Sequence, residues 1–279
     1  MGVASHTSTI VQSNTRDMRA QRMAFLPQVF MMTWRAIKTT FRVPAAVIPG
    51  LLISAFFLFV YNASLGNASS FLPGLAGKSY LAFILPVSII SSALSGAGLA
   101  GSAIVRDIEN GYFDKLLLTP VNRGALLLGA MIAGAFVLGL QTLVVLIVGL
   151  LMGLQSATGA TGLLVVMGLA LLLGAGFSGF TVGIALRTGS GAATQGASFL
   201  FFPLTFLTAT FVPVSLLSGW IKTAAIYNPI TYILEAMRSV LLNGWEPDVL
   251  ARGLGSCLIL GGVLFAFALL SLRSRTQRR

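Results

Sequence analysis

The chain has 279 residues, of which 56% are hydrophobic and only 9% charged, and its formal charge is +11. With a mean hydropathy of +0.91, it is too apolar for a soluble domain, whose charged fraction is typically about 25%, and it reads as an integral membrane protein. The positive charge does not call for a nucleic-acid partner, because lysine and arginine in membrane proteins collect on the cytoplasmic side.

In chain order, residues 1–25 are rich in Ser, Thr and Arg and lack the apolar core of a cleavable signal peptide. They are expected to be a disordered cytoplasmic tail. Residues 26–43 follow as an amphipathic stretch, with Phe30, Trp34, Ile37 and Phe41 on one helical face and Arg35, Lys38 and Arg42 on another. Such a helix lies in the membrane interface, its apolar stripe against lipid and its cations among headgroups.

A helical span needs about 20 apolar residues. Uncharged runs extend over Val43–Gly77, Ser79–Val105, Gly124–Leu186, Thr188–Ile221 and Gly253–Leu272. The longest is interrupted by the polar, glycine-rich Gly153–Gly162, where the chain turns. Six spans are therefore expected within 44–272: Pro44–Tyr61, Tyr80–Val105, Gly124–Leu151, Leu163–Leu186, Gly196–Leu217 and Leu254–Leu272. The ten-residue alternation of a membrane β-barrel is absent. The fold class is thus an all-α membrane protein with six transmembrane helices. With the N-terminus inside, fourteen of the 18 lysines and arginines fall in inner segments, which puts both termini, including a basic tail over 273–279, in the cytoplasm. Small residues at Ser88, Ser92, Gly96 and Ala100, and the patterns GLLMG (149–153) and GFTVG (179–183), suit close helix packing within the subunit.

Spans two and three are joined by VRDIENGYFDKLLLTPVNRG, residues 105–124, which holds three of the seven acidic residues. Asn110-Gly111 permits a sharp turn, Tyr112–Leu118 has room for two helical turns, and Pro120 stops them. Tyr112, Phe113, Leu116 and Leu117 would offer an apolar face to a groove on a soluble partner, while Asp107, Glu109 and Asp114 meet cations there. The alternative is a connector lying against lipid, where acidic groups are poorly placed beside an anionic leaflet.

Before the last span, residues 218–250 are too apolar for water and too charged to cross the bilayer. A re-entrant or interfacial helix on the outer side is expected, started at Asn228-Pro229 and stopped at Asn243-Gly244. Glu235 and Arg238 share one face of it, placed to form a structural ion pair.

Little in the chain supports catalysis. GFSG (176–179) resembles a serine-protease nucleophile motif, but a serine needs a base, and the one histidine is His6 in the N-terminal tail. GKS (77–79) lacks the first glycine of a phosphate-binding loop, where Leu72 stands instead. Metal-ligand clusters are absent and Cys257 reads as a packing residue. An ion-coupled carrier or channel would carry ionisable groups at bilayer depth, whereas here Gln141 and Gln195 are the notable polar side chains. Phe199, Phe201, Phe202, Phe206 and Phe211 suit either the wall of an apolar substrate path or contact with lipid.

The run DIENGYFDKLLLTPVNRGALLLG (Asp107–Gly129), together with FRVP (41–44), FVP (211–213) and YNPITYILEAMR (227–238), resembles the type-2 membrane permeases of ATP-binding-cassette transporters, especially the daunorubicin-resistance-like drug-export branch. The resemblance implies a coupling helix within 106–123 that docks on a separate ATPase subunit through Asp107, Glu109, Gly111, Tyr112, Phe113, Asp114, Leu116, Leu117, Thr119, Pro120 and Arg123. Tyr112 departs from the small hydroxyl residue usual after the glycine. It further implies a homo- or heterodimer of permeases in a bacterial inner membrane, exporting by alternating access. ATP and Mg would be bound by the partner subunit, and this chain would have no cofactor, metal or ATPase site of its own. Asn228, Pro229, Glu235 and Arg238 become outer-gate candidates, and Gln141, Gln195, Phe199, Phe202, Phe206 and Phe211 substrate-path candidates. The cargo expected is an amphipathic drug or lipid-like compound, with a lipid-linked glycan or polysaccharide as the alternative.

Overall fold

The computed structural model describes residues 23–42, 44–65, 79–208 and 214–277. Among these residues the regular structure is entirely helical: α1 (Phe25–Phe41), α2 (Pro44–Leu65), α3 (Tyr80–Glu109), α4 (Tyr112–Leu117), α5 (Arg123–Leu151), α6 (Gly159–Thr188), α7 (Gly191–Ser198), α8 (Phe202–Phe206), α9 (Gly219–Tyr227), α10 (Pro229–Arg238) and α11 (Pro247–Gln277). Five of them, α2, α3, α5, α6 and α11, are long and apolar enough to cross a membrane. Without water to satisfy peptide groups, an apolar run must close its hydrogen bonds internally, which a helix does.

Local chemistry sets the boundaries. The Ser79 hydroxyl accepts from the Ala82 amide at the start of α3, and the Asn122 side chain accepts from the Gly124 amide at the start of α5, each satisfying a donor left open in the first turn. The expected turn between α5 and α6 falls at residues 152–158. Helix α3 continues past its expected end at Val105 to Glu109. At the C-terminal end α11 runs through Gln277, so the described part of the basic tail is a continuation of that helix.

The region expected to form a span over 196–217 is built differently. There α7 is followed by a 3-10 turn at Phe199–Phe201 and the short α8. Pro203 cannot donate to the helical ladder, and the glycines of α7 weaken it. Residues 209–213, with Phe211 among them, lie outside the described residues, as do residues 1–22 of the N-terminal tail.

Helix α3 lies between α2, α5 and α6, while α11 packs on α6 and α1 lies along α5. Small residues permit these approaches: a Cβ at Gly183 would come 2.5 Å from the Phe267 ring, and one at Gly179 would come 2.8 Å from the Met131 side chain. The GFTVG pattern is thus occupied by packing within the chain, which is how helices associate in lipid. The larger core joins Ile84, Ile89, Leu138, Leu173 and Phe177 to Ile233, Met237 and Val240 of the segment around α10. A smaller core at the other end of the bundle holds Ile104, Leu127, Val182, Leu186 and Leu272 with Phe113 and Leu116 of α4.

Candidate functional site

The segment after α3 turns at Gly111, whose φ of 67° lies in the left-handed region, where a residue without Cβ sits at little cost. The Gly111 amide donates to the Ile108 carbonyl at 3.0 Å. Six residues of α4 follow, and the Thr119 hydroxyl closes the segment by donating to the Leu116 carbonyl at 2.6 Å. The expected apolar face is split by this geometry. Phe113 and Leu116 are buried against the protein's own helices and are corrected from partner-facing to core residues, because α4 is amphipathic over a single turn and a half. Facing out instead are Glu109, Tyr112, Thr119, Pro120 and Arg123, with Leu117 half-buried. Leu118, which sequence reasoning passed over, is the most open large apolar side chain among the described residues, at 88% exposure. Asp114 is half-buried, and the Arg123 guanidinium donates to the Thr276 hydroxyl at 3.1 Å.

Helix α1 grips this segment at two points. Arg35 forms an ion pair with Asp107 at 2.6 Å, and its guanidinium lies 4.1 Å from the centre of the Tyr112 ring. Nearer the α1 N-terminus, the buried Gln28 accepts the Asn122 amide through Oε1 at 2.7 Å and donates from Nε2 to the Met23 carbonyl at 2.7 Å. Asp107 is therefore engaged within the chain. No periodicity signals Arg35 or Gln28, since their partners lie 72 and 94 residues away. Elsewhere in α1, Phe30, Trp34 and Phe41 are exposed together with Lys38 and Arg42, and Lys38 lies 5.1 Å from the Trp34 ring. Ile37 is half-buried.

At the opposite end of α3 stands the segment 218–250. Asn228 caps α10 by accepting the Ile230 amide at 3.0 Å, with Pro229 in the first turn, and donates from Nδ2 to the Leu204 carbonyl at 2.7 Å. A π turn over Ser239–Asn243 ends at Gly244, φ 108°. Arg238 is buried, its Nε donating to the Phe83 carbonyl at 2.9 Å and its guanidinium lying 3.5 Å from the Phe83 ring centre. Burial lowers the Arg238 pKa from its ordinary range and raises that of Glu235; the opposite charges of the two residues counter these shifts.

The substrate-path candidates are scattered. Gln141 is buried in α5 with neither amide atom hydrogen-bonded; its Oε1 faces Gly96 of α3. Gln195 and Phe199 are exposed on and beside α7, with Gln195 Oε1 close to Gly98 of α3. The side chains of Phe201, Phe202 and Phe206, like Phe211, lie outside the described residues. Among the described residues no group of His, Cys, Asp and Glu could hold a metal ion. Ser178 of the GFSG motif is fully buried between helices.

Residues 27–242 match the family model described as ABC-2 type transporter. Among similar proteins, a probable doxorubicin resistance ABC transporter permease, DrrC of Mycobacterium tuberculosis, is 24% identical over 220 residues, covering 79% of each chain. A daunorubicin resistance ABC transporter permease, DrrB1 of Streptomyces coeruleorubidus, is 24% identical over 278 residues, covering 97% of this chain and 93% of its own. The probable multidrug ABC transporter permease YbhR of Escherichia coli is 23% identical over 191 residues, or 65% of this chain and 49% of its own. A bundle of long apolar helices, a short helix held between two of them and a family match over most of the length lead to one conclusion: the chain belongs to the ABC-2 type transporter family and is a multi-pass membrane permease.

Proposed function

We propose that this chain is the permease subunit of an ATP-driven exporter, and that a separate ATPase subunit docks on the segment 106–123. The observation that carries the reading is the exposure of Glu109, Tyr112 and Leu118 on a turn and short helix that pack against the smaller core and are met by Arg35 of α1. A large apolar side chain at 88% exposure on a charged surface suits a partner's cleft. The partner binds ATP and Mg. Two permease subunits, identical or different, complete the path in a bacterial inner membrane with both termini in the cytoplasm. The region 196–217 completes six spans, 218–250 forms the outer re-entrant segment, and Asn228, Pro229, Glu235 and Arg238 act as its gate. The names of the relatives, which point to doxorubicin and daunorubicin, favour an amphipathic, aromatic cargo moved by alternating access.

Co-purification tests this. The tagged permease should capture an ATPase subunit from its native membrane, and inverted vesicles holding both should accumulate doxorubicin only with ATP. Uphill transport by the permease alone, or capture unaffected by Glu109→Ala combined with Leu118→Ser, would refute the docking assignment. Transport of a lipid-linked glycan with no response to any amphiphile would instead refute the cargo.

A further inference from the structure

The two engaged ends of α3 suggest how an event at one face of the membrane reaches the other. Helix α3 is continuous for 30 residues, and Phe83 and Asp107 are separated along it by about 36 Å at 1.5 Å per residue. At one end Asp107 meets Arg35, and the chain passes directly through Gly111 into α4. At the other end the Phe83 carbonyl and ring receive Arg238. Pro86, three residues on, removes one helical donor from this part of α3.

An arginine here is costly. Burying a guanidinium forfeits hydration that an apolar side chain of similar size would not lose. In return it gives a directional contact, with one N–H on a carbonyl and a planar face on a ring, that slides less readily than apolar packing. The α10 region also packs on α3 through the larger apolar core, and further contacts tie it elsewhere: Thr158 Oγ1 donates to the Val240 carbonyl at 2.7 Å, and the Ala157 amide donates to the Leu241 carbonyl at 3.0 Å. A Cβ at Gly253 of α11 would come 2.3 Å from Ala236. These hold the segment to the α5–α6 turn and to α11, whereas Arg238 adds a directional bond to the apolar packing on α3.

We propose that Arg238 is a positioning residue that latches the α10 segment to α3, so that displacement of α3 from its Asp107 end moves the segment at the far end with it. This inference rests on reading 106–123 as the docking segment for an ATPase subunit.

Hydrogen exchange on the permease–ATPase complex in nanodiscs, with and without ATP, Mg and vanadate, separates the two ideas. In the wild type, trapping should change protection at both 107–123 and 229–243. In Arg238→Gln the change at 107–123 should persist, while that at 229–243 falls by more than half. Phe83→Leu keeps the carbonyl and removes the ring, so it should show a smaller loss and serves if Arg238→Gln does not fold. An undiminished response at 229–243 in both variants overturns the latch and leaves the docking reading standing. So does a wild type in which only 107–123 responds. A wild type in which 107–123 itself is silent overturns the docking reading, and the latch with it.

Discussion

Gly111 offers a quantitative test of the docking segment. Its φ of 67° and ψ of 6° are left-handed, and a Cβ built on it meets no atom within 4 Å. A substitution there is opposed by backbone preference alone, without a clash. For an ordinary L-residue that preference is about 1–2 kcal/mol, a factor of roughly 5–30 in the population holding the turn. Asparagine tolerates the region better, and a β-branched residue tolerates it worse. The expected order of ATP-dependent export is therefore Gly111 close to Gly111→Asn, then Gly111→Ala, then Gly111→Val, with the last reduced at least tenfold. Export should be measured as doxorubicin accumulation in inverted vesicles at matched membrane abundance, beside ATPase activity, so that lost coupling is distinguished from lost insertion. Equal defects in the Asn, Ala and Val variants would show that any side chain here is harmful whatever its backbone preference, and would refute the left-handed-turn reasoning. A fully active Gly111→Val would show that export does not need this turn.

Three further outcomes follow from the structure. The Arg35–Asp107 pair is partly buried, with side chains 31% and 16% exposed, so its coupling should lie between surface and buried pairs, at about 1–2 kcal/mol; Arg35→Met and Asp107→Asn should be non-additive in thermal stability, and strict additivity would remove the pair from the account. Glu235→Gln and Arg238→Gln should be non-additive in thermal stability, the double variant losing less than the sum of the two single losses, whereas losses that simply add would separate the two charges. Gln141→Leu removes a buried amide with both polar atoms unbonded, so thermal stability should rise by about 1 kcal/mol; a lower melting temperature would mean that the amide has a partner in the assembled transporter.

The membrane class and the approximate places of α2, α3, α5, α6 and α11 were legible in the sequence, because each must present about 20 apolar residues to hydrocarbon and that demand is met locally. The turn at Asn110-Gly111 was legible for a similar reason: left-handed backbone selects glycine at a single position. The region 196–217 resisted this reading, since its hydropathy suits a span while Pro203 and its glycines work against one uninterrupted helix.

What the tertiary structure alone decided was which way the side chains face and what they meet. Composition cannot distinguish Phe113 from Tyr112; the first is buried among α3, α5, α6 and α11 and the second stacks beneath Arg35, because α4 is docked by contacts from distant helices. Arg35 looks like one more interfacial cation until Asp107, 72 residues later, is brought beside it. Arg238 reads from the sequence only as a neighbour of Glu235, three residues away, until folding brings the Phe83 carbonyl, 155 residues earlier in the chain, to accept from its Nε. Spans are selected by the solvent each segment must face, residue by residue along the chain. Pairings such as these are selected by the packing of whole helices, which no local window contains.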